Sequence, residues 1–115
     1  MIVEDDKVLS FLLSKMVEKL GHQISDVITK GSEAITQIQA LKPDLILMDI
    51  MLEDNIDGIE VMAHLRGKSI HTPVIYITGN SDQGNIQRAK KTNYLDYLIK
   101  PVSYEELKKR IIEIH

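Results

Sequence analysis

The amino-acid sequence predicts an α/β fold, a doubly wound parallel sheet of five strands with helices on both faces. Short apolar runs alternate with stretches of helical period, which is the pattern of repeated βα units. The run Leu45–Met48 is apolar throughout rather than alternating, as a strand covered on both faces should be. The chain has 115 residues, which is the length of one domain, and no linker interrupts the pattern. We therefore expect one domain over residues 1–115 in a (βα)5 arrangement.

The first two repeats are marked by their helix boundaries. A strand at Met1–Val3 is followed by Asp6, the predicted N-cap of the first helix, and Gly21 ends that helix. The second strand is predicted at Gln23–Val27, and Pro43 stops the helix after it. Apolar residues recur at helical spacing in both helices: Leu9, Leu12, Leu13, Met16 and Leu20 in the first, and Ala34, Ile35, Ile38 and Leu41 in the second.

The last three repeats follow the same alternation. Their elements are, in order, strand Leu45–Met48, helix Ile59–Leu65, strand Val74–Thr78, helix Asp82–Lys91, strand Tyr97–Ile99 and a helix that begins at Ser103. Ser103 and Glu106 have the spacing of a capping box, which supports the start of the last helix. Ligands of an open parallel sheet bind beyond the carboxyl ends of its strands, so the residues that end the strands are the functional candidates.

Composition and charge exclude several classes of function. The formal net charge is −3, and the cluster Lys108–Arg110 is typical of a solvated helix face, so we expect no direct contact with nucleic acid. Cysteine is absent, which excludes disulfides, thiolate catalysis and Cys-ligated zinc and fits a reducing compartment. No apolar run approaches the ~20 residues that span a bilayer, and the chain turns acidic too early for a signal peptide. These features predict a cytoplasmic protein without a membrane partner.

Polar side chains end four strands at one edge of the predicted sheet: Glu4 and Asp5 after the first, Asp49 after the third, Thr78 on the fourth and Lys100 after the fifth. Two carboxylates ~4 Å apart repel by about 4 kcal/mol at an effective dielectric of roughly 20, so the acidic cluster favours a bound cation. Oxygen ligands without Cys or paired His indicate a hard ion, Mg²⁺ or alternatively Mn²⁺. The burial of its strand fixes Asp49, which suits a nucleophile.

Each of these residues also has a structural interpretation. Glu4 and Asp5 could each act as a helix cap, because acids at helix starts complement the helix dipole. Lys100 could be a surface lysine, although opposite Asp49 it is placed as a counter-ion. Thr78 is good strand material, although its hydroxyl could donate to a phosphoryl oxygen. The convergence of all of them at one edge favours function over the structural interpretations.

Together these residues resemble the receiver domains of two-component response regulators, over essentially the whole chain. The similarity is carried by five segments: Ile2–Asp6, Leu45–Ile50, Asp57–Gly58, Ile77–Gly79 and Tyr97–Pro101. The resemblance implies a flavodoxin-like sheet with strand order 2-1-3-4-5. It also implies that Asp49 accepts a phosphoryl group from a phosphohistidine, supplied by a sensor histidine kinase or a phosphotransfer protein.

The resemblance further implies a role for each site residue. The implied ligands of Mg²⁺ are the carboxylates of Glu4, Asp5 and Asp49 and the main-chain carbonyl of Met51. Thr78 and Lys100 would contact the phosphoryl group, and Thr78 and Tyr97 would change position with the switch. A cis peptide bond before Pro101 is implied as well. Dimerisation through the last two helices and the last strand is a habit of the family, and the sequence does not indicate an output.

The loop after Asp49 departs from the commonest form of the family. It is one residue longer and lacks the usual proline. The carbonyl of Met51 precedes the extra residue, so we expect this ligand to be kept. Met51 and Asn80 are expected to influence the lifetime of the phosphorylated form. The approach to the fifth strand, residues 93–96, also differs from the usual pattern, which predicts a differently shaped switch surface.

Rival functions with a similar sheet are less compatible with the motifs. A phosphohydrolase with an aspartyl nucleophile would need a second acid where Met51 stands. A flavin-binding module needs a hydroxyl-rich phosphate loop, which the acidic residues 4–6 would repel, and a nucleotide-binding domain needs a glycine-rich loop that is absent from the sequence. The alternative that remains is a receiver-like interaction module that is never phosphorylated.

Overall fold

Five strands and five helices alternate along the part of the chain that the computed structural model describes, residues 1–79 and 83–112. They are β1 Ile2–Val3, α1 Lys7–Lys19, β2 Val27–Ile28, α2 Gly31–Leu41, β3 Ile46–Met48, α3 Gly58–Gly67, β4 Val74–Thr78, α4 Gln83–Lys90, β5 Asp96–Ile99 and α5 Tyr104–Ile112. All strand pairs are parallel, and the sheet order is β2-β1-β3-β4-β5. The predicted fold class and strand order are confirmed.

Each face of the sheet carries its own hydrophobic cluster. Successive strand residues point to opposite faces, so Met48 and Tyr76 join the cluster beneath α2, α3 and α4. Leu47 and Ile75 join the cluster beneath α1 and α5. Every residue of β3 is buried, which agrees with the continuous apolar run Leu45–Met48 that predicted a strand covered on both faces.

The second strand is shorter and begins later than predicted. The sequence indicated Gln23–Val27, whereas β2 contains only Val27 and Ile28. The reason is the length of its partner: β1 offers two residues, and these pair with Val27 and Ile28. Residues 23–26 come before Val27, the first residue of β2 that pairs with β1, so sequence pattern alone misplaced the strand.

Most helix starts follow the sequence signals. Asp6 caps α1 by accepting two main-chain hydrogen bonds from its first turn. The predicted cap of α5 is observed, because the Ser103 hydroxyl accepts from the Glu106 N–H at 3.1 Å. A full capping box, which the sequence analysis did not identify, opens α3 between Asp57 and Glu60.

Helix α4 is the helix with the least burial. Ala89 is its one buried residue within Gln83–Lys90, and the predicted start at Asp82 lies outside the described residues. In the described part of the chain, no helix combines the length and the apolar character needed to cross a membrane.

Candidate functional site at the carboxyl edge of the sheet

The carboxyl ends of the central strands form the candidate site. Strands β1 and β3 lie side by side, and the chain leaves them in opposite directions, since β2 lies beyond β1 whereas β4 lies beyond β3. A crevice opens beyond the strand ends at such a reversal. Glu4 and Asp5 follow β1, and Asp49 follows β3. The topology therefore brings these acids together.

The three acids form a cluster that fits a divalent cation. One carboxylate oxygen of each of Glu4, Asp5 and Asp49 lies within 4.8 Å of the others. Glu4 is only 1% exposed and Asp49 only 5%, so water screens their repulsion weakly. Burial raises the pKa of Glu4 to about 7, against the opposing effect of the Lys100 ammonium. The cluster is thus costly while all three acids are ionised.

One buried oxygen in the cluster lacks a well-oriented donor. Among the described residues, Oε1 of Glu4 has no aligned hydrogen bond, although the Lys100 ammonium lies 2.9 Å away. Its other oxygen, Oε2, accepts from the Asp6 N–H at 3.1 Å. Clustered carboxylate oxygens are the ligands that Mg²⁺ or Mn²⁺ prefers. These carboxylates therefore fit the cation that the sequence predicted.

Lys100 bridges the two buried carboxylates. Its Nζ lies 2.9 Å from Oε1 of Glu4 and 2.9 Å from Oδ2 of Asp49. Burial alone would lower the pKa of Lys100, but the two carboxylates raise it above its usual value. The Lys100 main chain is fixed as well, because its N–H donates to the Thr78 carbonyl at 2.9 Å. The lysine predicted as a counter-ion thus carries its charge at the centre of the site.

Asp49 is held by its own strand end and by the start of α3. Its Oδ1 accepts from the Ile50 N–H at 2.7 Å, and the Ile50 carbonyl accepts from the Gly58 N–H at 2.8 Å. A Cβ at Gly58 would collide with the Asp49 carbonyl oxygen and lie 2.7 Å from Cγ of Met48. Glycine is therefore needed at this position, which gives a physical reason for the Asp57–Gly58 motif.

The remaining predicted residues lie around this centre. Thr78 is buried at the end of β4, and Tyr97 is half-buried on β5, where its ring packs 6.0 Å from that of Tyr76. The peptide bond between Lys100 and Pro101 is cis. Met51 lies two residues after Asp49 and is 65% exposed. Asn80 lies outside the described residues.

Two interactions beside the site were not predicted from the sequence. The Asp54 carboxylate accepts hydrogen bonds from the Gly31 and Ser32 N–H groups at the start of α2. The Arg88 guanidinium on α4 donates to Asp57, the cap of α3, at 2.9 Å. Both join residues more than 20 positions apart, so no local pattern announces them. The only signal was the acidic character of the loop after Asp49.

Comparisons with known proteins identify a matching family model and several similar proteins. The family model described as "Response regulator receiver domain" matches residues 1–112. The phosphate regulon transcriptional regulatory protein PhoB of Rhizobium meliloti is 35% identical over 112 residues, which are 96% of this chain and 48% of that protein. The probable C4-dicarboxylate response regulator DctR of Halalkalibacterium halodurans is 32% identical over 109 residues, which are 94% of this chain and 47% of that protein. The chain thus spans about half the length of these relatives.

Among solved structures, the signal receiver domain of a modulated diguanylate cyclase from Desulfovibrio desulfuricans G20 superposes with a TM-score of 0.88. It is 38% identical, and the match covers 97% of this chain and 88% of that one. A DNA-binding response regulator of the LuxR family from Staphylococcus aureus superposes with a TM-score of 0.90 at 26% identity, covering 98% of this chain and 94% of that one. The names of these proteins describe different activities, transcriptional regulation in some and a diguanylate cyclase in another, whereas the matched fold is the same.

Proposed function

The chain belongs to the response regulator receiver domain family of two-component systems, and from this premise we propose that Asp49 is its phosphoacceptor. The observation that carries the proposal is the position of the Asp49 carboxylate. It is only 5% exposed, it lies beside Glu4 and Asp5, and the Lys100 ammonium is 2.9 Å away. The donor would be the phosphohistidine of a sensor histidine kinase or of a phosphotransfer protein.

The proposed cofactor is Mg²⁺, with Mn²⁺ as the alternative. Its proposed ligands are the carboxylates of Glu4, Asp5 and Asp49 and the main-chain carbonyl of Met51. When bound, such a cation offsets negative charge on a transferring phosphoryl group. The fit rests on the clustered carboxylate oxygens and on the burial of Glu4 and Asp49, which makes their mutual repulsion costly without a cation.

The chain's own side chains would then position and neutralise the transferring group. An Asp49 oxygen forms a bond to phosphorus while the bond from phosphorus to the histidine nitrogen breaks. Lys100 already contacts Asp49, and its ammonium group would then also contact a phosphoryl oxygen. This is electrostatic stabilisation by a preorganised group. The buried Thr78 hydroxyl would donate to a second oxygen. The protein therefore acts as a signalling domain that assists its own modification.

The proposed switch follows from the added charge. A phosphoryl group brings roughly −1.5 to −2 charges and strong acceptor oxygens. Drawing Thr78 towards these oxygens would change the packing next to Tyr97 on the neighbouring strand. We also keep the proposal that Met51 and Asn80 influence the lifetime of the phosphorylated form. A cytoplasmic location, a homodimer and the absence of direct nucleic-acid binding by residues 1–115 stay predictions.

The test is chemical modification in solution. The protein is incubated with acetyl phosphate, or with beryllofluoride as a mimic, with and without Mg²⁺, and intact mass and amide spectra are recorded. We expect one adduct that depends on Mg²⁺, disappears in Asp49→Asn and persists in Asp44→Asn, an exposed aspartate before β3. A folded wild type without any adduct would instead support the unphosphorylated interaction module.

A further inference from the structure

The segment Ile50–Asp57, called here the β3–α3 loop, is held at both ends by hydrogen bonds to the start of helix α3. At its start, the Ile50 carbonyl accepts from the Gly58 N–H at 2.8 Å. At its end, Asp57 is the N-cap of α3. Compared with the commonest form of the family, this loop is one residue longer, and a longer loop has more conformations to lose on ordering. A contact in the middle of the loop lowers this cost.

That contact is made by Asp54, which caps a helix distant in sequence. Its Oδ1 accepts from the Gly31 N–H at 2.8 Å. Its Oδ2 accepts from the Ser32 N–H at 3.0 Å and from the Ser32 hydroxyl at 2.8 Å. Lys30, at the N-cap position of α2, makes no capping hydrogen bond with its side chain within the described residues. Asp54 thus supplies the cap that α2 lacks locally.

Charge strengthens this anchor. The free N–H groups and the dipole at a helix N-terminus favour a carboxylate, and charge-assisted hydrogen bonds are stronger than neutral ones. The hydrogen bonds from Ser32 and Gly31 lower the pKa of Asp54 to about 2. Asp54 is therefore ionised, and its anchor is intact, at any pH near neutrality.

Two further contacts press the loop onto the same helix start. The Glu53 N–H donates to the Thr29 carbonyl at 3.1 Å. Gly31 lies directly beneath Ile56, since a Cβ on Gly31 would lie 2.5 Å from the Ile56 carbonyl oxygen. Leu52 and Ile56 also pack against the hydrophobic cluster of that face. The loop is thus held at Ile50 and again at Glu53 and Asp54, which leaves Met51 and Leu52 as a two-residue span between fixed points.

We propose that Asp54 is a positioning residue for the cation site: its cap on α2 fixes the β3–α3 loop and so holds the main chain of Met51 ready to contribute its carbonyl. The inference rests on the proposed function, because it presumes that a divalent cation binds at Glu4, Asp5 and Asp49. It gives the acidic, lengthened loop a role inside the domain. Asp54 itself acts only through the loop and does not contact the cation.

The test measures Mg²⁺ affinity rather than phosphorylation. The dissociation constant is determined by titration calorimetry at physiological salt, at a temperature where urea curves show every variant fully folded. For Asp54→Ala we expect the constant to rise on the order of tenfold, the lower end of the range for groups that orient metal ligands. Asp54→Asn, which keeps one acceptor oxygen, should fall between the wild type and Asp54→Ala.

Glu53→Ala is the matched control. It removes the same charge from the neighbouring position, while the described contact of Glu53 with Thr29 uses its main chain. We expect its Mg²⁺ affinity to stay close to that of the wild type. Equal weakening in Asp54→Ala and Glu53→Ala would mean that only loop charge matters, and an unchanged constant in Asp54→Ala would mean that Asp54 is only a helix cap. Either result overturns the inference and leaves the proposed function intact, whereas a wild type that binds no Mg²⁺ overturns both.

Discussion

Lys100 is the residue on which the balance of charge at the site depends. Its ammonium contacts the buried carboxylates of Glu4 and Asp49, each at 2.9 Å. Removing one partner of a buried ion pair costs about 3–5 kcal/mol, and the Lys100 side chain is 24% exposed, so the cost should be lower. For Lys100→Met we expect a loss of roughly 1–3 kcal/mol in the free energy of unfolding, measured by urea denaturation without Mg²⁺.

Added Mg²⁺ should recover part of that loss, because the cation would neutralise the same two carboxylates. Lys7→Met is the control, since Lys7 is an exposed lysine at the start of α1 and its replacement should change stability little. A Lys100→Met variant as stable as the wild type in the absence of Mg²⁺ would contradict the assignment of Lys100 as the counter-ion.

Tyr76 is a buried titratable residue away from the site. Its hydroxyl lies 2.7 Å from Oγ1 of Thr92, and burial raises its pKa to about 12. An acid whose pKa is raised on folding contributes stability that is complete below its unfolded pKa of about 10 and is lost as the pH rises towards 12. The Tyr76 contribution to the free energy of unfolding should therefore disappear across this window.

The variant Tyr76→Phe measures the contribution of the Tyr76 hydroxyl to the free energy of unfolding. At neutral pH the variant should be less stable by about 1 kcal/mol, the usual worth of a side-chain hydrogen bond. The Thr92 hydroxyl keeps a partner, because it donates to the Ala89 carbonyl at 2.6 Å. Urea denaturation of both proteins at rising pH should show the difference shrinking above about pH 10 and reversing in sign before about pH 12, because raising the pKa from about 10 to about 12 outweighs one hydrogen bond. A difference independent of pH would refute the shifted titration.

At the residue scale, the sequence predicted which acids would cluster, because the end of a strand can be recognised from the residue pattern. Glu4, Asp49 and Thr78 each end a short apolar run, and parallel strands bring such ends to one edge. The contact of Lys100 with both Glu4 and Asp49 was harder to predict from the sequence. It depends on how a long side chain reaches across β4 towards β1, and no spacing rule records that distance.

At the element scale, helix α4 buries the fewest residues of the helices within the described part of the chain. Its one buried residue within Gln83–Lys90 is Ala89, and Arg88 ties it to Asp57 across 2.9 Å. An exposed ion pair of this kind is worth about 0.2–1 kcal/mol, which is small for the whole domain but large for a helix with so little burial. For Arg88→Ala we expect faster amide hydrogen exchange in α4.

Global stability should change little in Arg88→Ala, because the pair is solvent-exposed. Lys90→Ala, which removes an exposed cation from the same helix, is the control and should leave the exchange rates of α4 near those of the wild type. Equal exchange in α4 of Arg88→Ala and the wild type would show that the contact with Asp57 does not fasten the helix.

The helix caps separate what local sequence can predict from what it cannot. Asp6 lies immediately before the helix it caps, so its role was predicted. Asp54 caps α2 from 23 positions further along the chain, and this pairing exists only once the β3–α3 loop crosses the start of that helix. The prediction of the length of β2 failed for a similar reason, since this length is set by the two residues of its partner strand β1 rather than by the composition of β2.

At the scale of the whole molecule, the order of elements was predictable because it follows from hydrophobic pattern alone. Alternating short apolar runs and helical stretches leave few topologies for a parallel sheet, given right-handed connections. The strand order 2-1-3-4-5 came from the resemblance of motifs such as Ile2–Asp6 and Tyr97–Pro101, and the sheet has that order. The hydrophobic pattern could not predict the side-chain contacts between different helices and strands. Some of these contacts take part in the proposed switch.

The proposed switch couples the two strands on one side of the molecule. In the register of β4 and β5, Tyr76 pairs with Tyr97 and Thr78 pairs with Ile99, so a shift of Thr78 occurs beside Tyr97. We expect beryllofluoride with Mg²⁺ to shift the ring signals of Tyr97 in the wild type. In Thr78→Ala the adduct should still form at Asp49 while the Tyr97 shift is largely lost, because no hydroxyl is drawn towards the adduct.

Thr78→Ser is the matched variant for this coupling. It keeps the hydroxyl and removes only the methyl group, so the shift at Tyr97 should persist. Asp49→Asn fixes the baseline, since without an adduct neither Thr78 nor Tyr97 has a reason to move. If Thr78→Ala shows the wild-type shift at Tyr97, the signal reaches β5 by another path, and Lys100 is the next candidate because its main-chain N–H donates to the Thr78 carbonyl at 2.9 Å.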